Sequence, residues 1–192
     1  MDKIRLDFFD ILGYLIPGTA LLLSLWVTAD TSILQLADLY SFVCKITANT
    51  LLSGVVVAYV IGFTLHFLGS YLFNLNKRKL KRKRDEVTTD NPQYWALIRE
   101  HGAKHLPILD RWQALKALAS NLAAFSLIAF LLCGLKAYLT QNLEWAYLLP
   151  VFALLFFAYS NRARIFAKYL DDDSYAVFIT LKLTEKLPQK AV

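Results

Sequence analysis

Leu51–Phe73 reads LLSGVVVAYVIGFTLHFLGSYLF, and three residues later Lys77–Arg84 reads KRKLKRKR. The first stretch is 23 residues of apolar chain, and about 20 helical residues cross the hydrocarbon core of a bilayer. The second stretch puts seven basic residues among eight. A dense Lys/Arg run beside a span marks the cytoplasmic side. Together they predict a membrane helix whose C-terminal end faces the cytoplasm.

The rest of the chain agrees with that reading. Of 192 residues, 57% are hydrophobic, against about 45–50% in an ordinary soluble domain. The excess falls in four blocks, so the expected fold is all-α, a multi-pass membrane protein with four transmembrane helices forming one membrane domain. The predicted spans are residues 8–27, 51–73, 117–138 and 143–160. The first is too long for a signal-peptide core and no small-residue cleavage pattern follows Val27, so it reads as a retained span. Two cysteines, Cys44 and Cys133, make neither a disulfide framework nor a metal set.

Charge sets the threading. With both termini and the loop 74–116 inside, 19 basic residues face the cytoplasm and 2 face out. The inverse arrangement translocates the whole basic loop, against the positive-inside rule. The expected topology is N-in and C-in, with a helical cytoplasmic loop at 74–116 and a cytoplasmic tail at 161–192. In the outer loop, Ile33–Val43 reads as a short surface helix. In the inner loop, Lys77–Arg84 extends the second helix and Gln93–His105 forms a short helix. Pro107 then breaks the chain, and Asp110 caps the third long helix. Asn161–Tyr169 prolongs the fourth helix beyond the membrane.

Polar groups inside spans are costly and therefore informative. Asp10, Tyr14 and His66 lie at similar depth toward the inner leaflet, His66 about 10 Å from Phe73 at about 1.5 Å per residue. They form a candidate proton-responsive gating cluster, since imidazole titrates near neutrality; a plain interhelical hydrogen bond is the alternative. Pro17-Gly18 predicts a kink, because proline removes a backbone hydrogen bond. Gly54, Ala58 and Gly62 recur every fourth residue, a spacing that lets helix backbones approach closely, within the chain or between subunits. Ala119 and Ala123 repeat the pattern more weakly.

Three readings fit Lys77, Arg78, Lys79, Lys81, Arg82, Lys83 and Arg84. Anionic lipid head groups suit them, at about 1 kcal/mol per basic residue near the surface. An acidic soluble protein is a second partner. Nucleic acid is a third, without the aromatic interleaving that makes such contacts specific. His101 and His105 are four apart but lack the glutamate of the zinc-protease pattern. Asp171, Asp172 and Asp173 are the one acidic cluster. They read as the cap of a C-terminal amphipathic helix, with divalent-metal binding or a charge latch for the chain's own basic run as the alternatives.

No phosphate loop, nucleophile elbow or helical zinc motif is present. No catalytic residue, cofactor or metal site is expected. Three stretches carry a resemblance: Asp7–Gly18 (DFFDILGYLIPG), Ala58–Ser70 (AYVIGFTLHFLGS) and Tyr159–Leu170 (YSNRARIFAKYL). With the layout of the whole chain they resemble small four-span bacterial proteins of anti-phage defence loci, such as the Kiwa membrane subunit and the membrane accessories of some RNA-targeting CRISPR systems. The resemblance implies a sensor or membrane-perturbing effector that works with a soluble partner. The expected function is a non-enzymatic inner-membrane subunit, oligomeric, that recruits a soluble protein through its basic face. The alternative is a homo-oligomeric pore that depolarises the membrane.

Overall fold

A computed structural model describes residues 11–44, 46–77 and 92–183. Among them every regular element is helical. The elements are α1 (Ile16–Ala29, entered through a π-helical turn at Ile11–Leu15), α2 (Asp38–Cys44), α3 (Ala48–Lys77), α4 (Pro92–His101), α5 (Leu106–Thr140) and α6 (Leu148–Thr180). Four helices are long and apolar enough to cross a membrane: Ile11–Ala29, α3, α5 and α6. Where they are described, the first three predicted spans fall within these helices; of the fourth, residues 143–147 form a 3-10 turn and 148–160 lie in α6. Residues 8–10 of the first lie outside the described residues.

The four long helices run alternately up and down, as the contacts along each seam record. Gly18 meets Ala58, and Gly62 meets Tyr14. The order reverses along the two chains, so α1 and α3 are antiparallel. His66 reaches Asn121, while Phe73 lies under Lys116, so α3 and α5 are antiparallel as well. Phe125 packs on Phe152 and Trp112 on Tyr169, which sets α6 against α5 in the same sense.

Large apolar side chains of the bundle turn outward. Val56, Phe63 and Phe67 on α3 are 68%, 51% and 69% exposed, and Leu154 and Phe157 on α6 are 70% and 68% exposed. Small residues fill many of the bundle's buried positions, among them Ala58, Ala119, Ala123, Ala124 and Ala129, with Leu21 and Leu65 buried beside them. Two further cores close its ends. At one end Ile33, Phe42 and Trp145 pack together. The Trp145 indole N–H donates to the Leu34 carbonyl at 2.9 Å, and Glu144 accepts from the Leu36 amide at 3.1 Å. This end contains α2, which overlaps the C-terminal half of the stretch where a short surface helix is expected. At the other end Tyr94 and Ile98 of α4 pack against Leu109, Leu170, Val177, Phe178 and Leu183.

Several local expectations are corrected. Pro107 starts α5 rather than breaking the chain, because a helix's first turn has no use for its missing N–H. Asp110 therefore lies inside the helix and caps nothing. Pro150 is accommodated in the same way in the first turn of α6. Asp171–Asp173 do not begin a separate helix; α6 runs through them unbroken to Thr180. His101 and His105 do not share a helical face. Gly102 ends α4 between them, and Ala103–His105 is a 3-10 turn.

Candidate functional site

Pro17 organises the middle of the bundle. Having no N–H, it cannot serve the carbonyl four residues back, that of Gly13. The chain responds with the π-helical turn at Ile11–Leu15, a recognised accommodation of a disturbed hydrogen-bond ladder. The Asn121 Nδ2 of α5 then donates to the Gly13 carbonyl at 2.9 Å. Asn121 is fully buried, and an unpaired amide there would be costly.

This one contact orients a network. A carbonyl only accepts, so Asn121 must turn Nδ2 to Gly13 and Oδ1 the other way. Oδ1 faces His66 Nδ1 at 3.3 Å, so Nδ1 carries a proton and donates. His66 Nε2 lies 3.4 Å from the Ser70 hydroxyl, one turn along α3. The Tyr14 ring stands edge-on to the imidazole, centroids 5.6 Å apart at 89°. It also meets Tyr59 and Phe63 at 6.0 and 5.8 Å.

Tyr14 and His66 are thus brought together as expected, while Asp10 lies outside the described residues. Asn121 is the member that sequence reasoning missed. Its signal was available: an amide in the interior of a predicted span is itself an anomaly. The order Ser70–His66–Asn121 matches nucleophile, base and orienting group. Ser70 sits within a continuous helix, however, whose N–H groups are engaged along the ladder. No set of free backbone donors stands ready there for an oxyanion. The arrangement is chemically an interhelical hydrogen-bonded clamp.

The small-residue face of α3 has its partner within the chain. A Cβ on Gly18 would overlap the Ala58 carbonyl, and one on Gly62 would overlap the Tyr14 carbonyl. Gly54 is looser, with only Leu22 Cδ2 near a Cβ position, at 3.9 Å. Pro17 is buried beside this seam.

Lys136 lies 3% exposed near the end of α5. Its Nζ donates to the Asp30 carbonyl at 2.6 Å and stands 6.0 Å from the centroid of the Trp145 ring. A cation at the C-terminal end of α1 answers the carbonyls left unpaired there. Close by, Asp38 Oδ2 accepts from the Leu34 and Gln35 amides at 2.9 and 2.8 Å. Those hydrogen bonds, Gln35 first, hold its carboxyl below the ordinary value.

At the opposite end, Asp173 accepts from the Trp112 indole at 2.7 Å, so one member of the acidic cluster ties α6 to α5. Of the basic run, Lys77 is the last described residue of α3. Arg78, Lys79, Lys81, Arg82, Lys83 and Arg84 lie outside the described residues, and the latch expected between them and Asp171–Asp173 lies outside with them. Among the described residues no three His, Cys, Asp or Glu side chains group to hold a metal. A comparison with protein-family models, curated proteins and solved structures finds no match for this chain.

Proposed function

We propose that the chain is a non-enzymatic subunit of a bacterial inner membrane, with both termini and the 74–116 loop in the cytoplasm. In this reading it anchors and recruits a soluble protein through its basic cytoplasmic face. The observation that carries the reading is the contrast between two surfaces. Large apolar side chains face outward along the four long helices, as lipid contact requires. Beyond one end of that apolar zone, α4 and the ends of α5 and α6 form a folded aromatic core, next in sequence to the seven basic residues of Lys77–Arg84. An anchor needs such a platform, and a minimal pore does not. The pore alternative also needs a polar outward stripe, whereas Val55, Val56, Val60, Phe63 and Phe67 are outward and apolar on α3. The resemblance in layout to anti-phage membrane subunits favours defence or stress sensing as the setting.

Two measurements test this. In whole cells, exposed Cys44 reacts with a membrane-impermeant maleimide, while a cysteine replacing Glu100 reacts only after lysis. The complex extracted from native membranes has a mass above that of this chain and its own oligomers. The added subunit is lost when the seven basic residues become glutamine, with Cys44 labelling retained. Potassium efflux from liposomes holding this chain alone would sink the anchor reading in favour of the pore.

A further inference from the structure

A cleft of about 580 Å³ opens between α3, α5 and α6. Its polar lining is Ser120, Ser160, Asn161 and Arg164; its apolar lining includes Leu72, Phe73, Phe156 and Phe157. Among the described residues no carboxylate lines it. Arg164 Nε is buried and has no hydrogen-bond partner among the described residues. A guanidinium is always charged and offers a planar fork of donors, so a buried N–H of this kind calls for an anionic acceptor. Lys116 Nζ stands 5.4 Å from the centroid of the Phe73 ring, which adds a second cation at the rim.

Position narrows the ligand further. Phe73 and Ser160 are the cytoplasmic ends of two predicted spans, so the cleft sits where lipid head groups meet acyl chains. Its chemistry changes at the same level. Phe157 is 68% exposed on the outer wall, and the polar groups follow within two turns of α6.

We propose that this cleft binds an anionic membrane phospholipid, its phosphate on Arg164 with Ser160 and Asn161, and its chains along Phe156, Phe157 and Leu72. The inference rests on the membrane embedding proposed above. It adds a defined lipid site distinct from the diffuse attraction of the polybasic run.

The test is native mass spectrometry of the full chain in detergent, with phosphatidylglycerol or phosphatidylcholine of matched chains. Salt of about 1 M suppresses contacts at exposed charges, where the Debye length is about 3 Å, far more than contacts at buried ones. The wild type retains one phosphatidylglycerol with about tenfold preference: both lipids offer the same phosphodiester, but the choline cation of phosphatidylcholine meets the like charges of Arg164 and Lys116. Arg164→Gln brings the preference near parity. Arg162→Gln, two residues away and exposed, leaves it unchanged. Ser160→Phe fills the cleft and weakens binding with Arg164 intact, which covers the case in which the arginine variant fails to fold. Preference surviving both Arg164→Gln and Ser160→Phe would overturn the site. Equal loss in Arg162→Gln would reduce it to surface charge. Glycerol phosphate displacing the lipid at matched concentration would assign the cleft to a free phosphate instead. Extraction of the chain by alkaline carbonate without detergent would defeat the membrane reading, and it is scored separately from lipid preference.

Discussion

Along the α1–α3 seam the closest backbone approaches are at glycine and alanine, beside buried Leu21 and Leu65, and most large side chains point away. Around Phe178 the order is reversed. Tyr94, Ile98 and Phe178 are fully buried, and the Tyr94 and Phe178 rings stack at 4.5 Å. On the membrane embedding proposed above, the difference follows from what each region is packed against. Water drives aromatic surface inward, and a stacked pair adds about 0.5–1.5 kcal/mol beyond area burial. Lipid gives no such drive, because acyl chains are as apolar as leucine. Helices in lipid associate through close backbone packing and interhelical hydrogen bonds. The seam supplies the first through Gly18 and Gly62, and Asn121 supplies the second.

Substitutions that affect one region and spare the other can break this contrast. The largest expected effect is Phe178→Ala, about 3–5 kcal/mol for a buried aromatic. It opens the α4 core to protease at the 92–101 segment while α1 and α3 stay assembled. Unfolding of the whole chain at once would show the two regions to be one cooperative unit. Next is Gly62→Val at about 3 kcal/mol, since the obstacle is the Tyr14 backbone and cannot swing aside. Its control is Gly54→Ala, where the space is open, and a helical Gly→Ala change stabilises by about 1 kcal/mol. Thermal unfolding in detergent separates the two. If both lower the midpoint equally, the seam is not the tight contact described.

A smaller effect, about 1–2 kcal/mol, is expected of Asn121→Leu, which strands the Gly13 carbonyl and the His66 ring together. His66→Leu in that background should cost little more, and a double-mutant cycle reads their coupling. Additive losses would mean that the two residues act independently. The smallest effect concerns Asp38. Its folded-state value is lowered, so its contribution is present above the unfolded value and is lost as pH falls through the folded one. Amide exchange at Leu34 and Gln35 should quicken on acidification below the ordinary carboxylate range, and Asp38→Asn should blunt that response.

Much of the bundle was legible because hydropathy is local and additive. A window of residues reports its own transfer energy whatever its neighbours do, so the four long helices could be read directly. The spacing of Gly54, Ala58 and Gly62 was legible for a similar reason: helical period puts them on one face. Their partner was not, because choosing between a helix of the same chain and one of another depends on how α1 is rotated. The turns misled where one residue type serves two roles. Pro107 is as suited to the first turn of a helix as to a break, and the chain that follows decides between them. Asp171–Asp173 resembled a cap only while the stability of α6 beyond them was unknown; packing of Val177 and Phe178 on Tyr94 and Ile98 carries the helix through.

The candidate sites divide in the same way. Sequence alone determined that polar groups stand inside apolar helices, since Tyr14, His66 and Asn121 are visible as such. It also determined the 19-to-2 distribution of basic residues on which the proposed orientation rests. Only the tertiary structure decided that the carbonyl freed by Pro17 is answered by Asn121, 108 residues away from Gly13. It alone decided that Lys136 closes the end of α1 and that Arg164 lines a cleft between α3, α5 and α6. Hydrogen bonds need atoms within about 3 Å and a defined angle, and that geometry comes from helix rotation and register, which composition and periodicity do not carry.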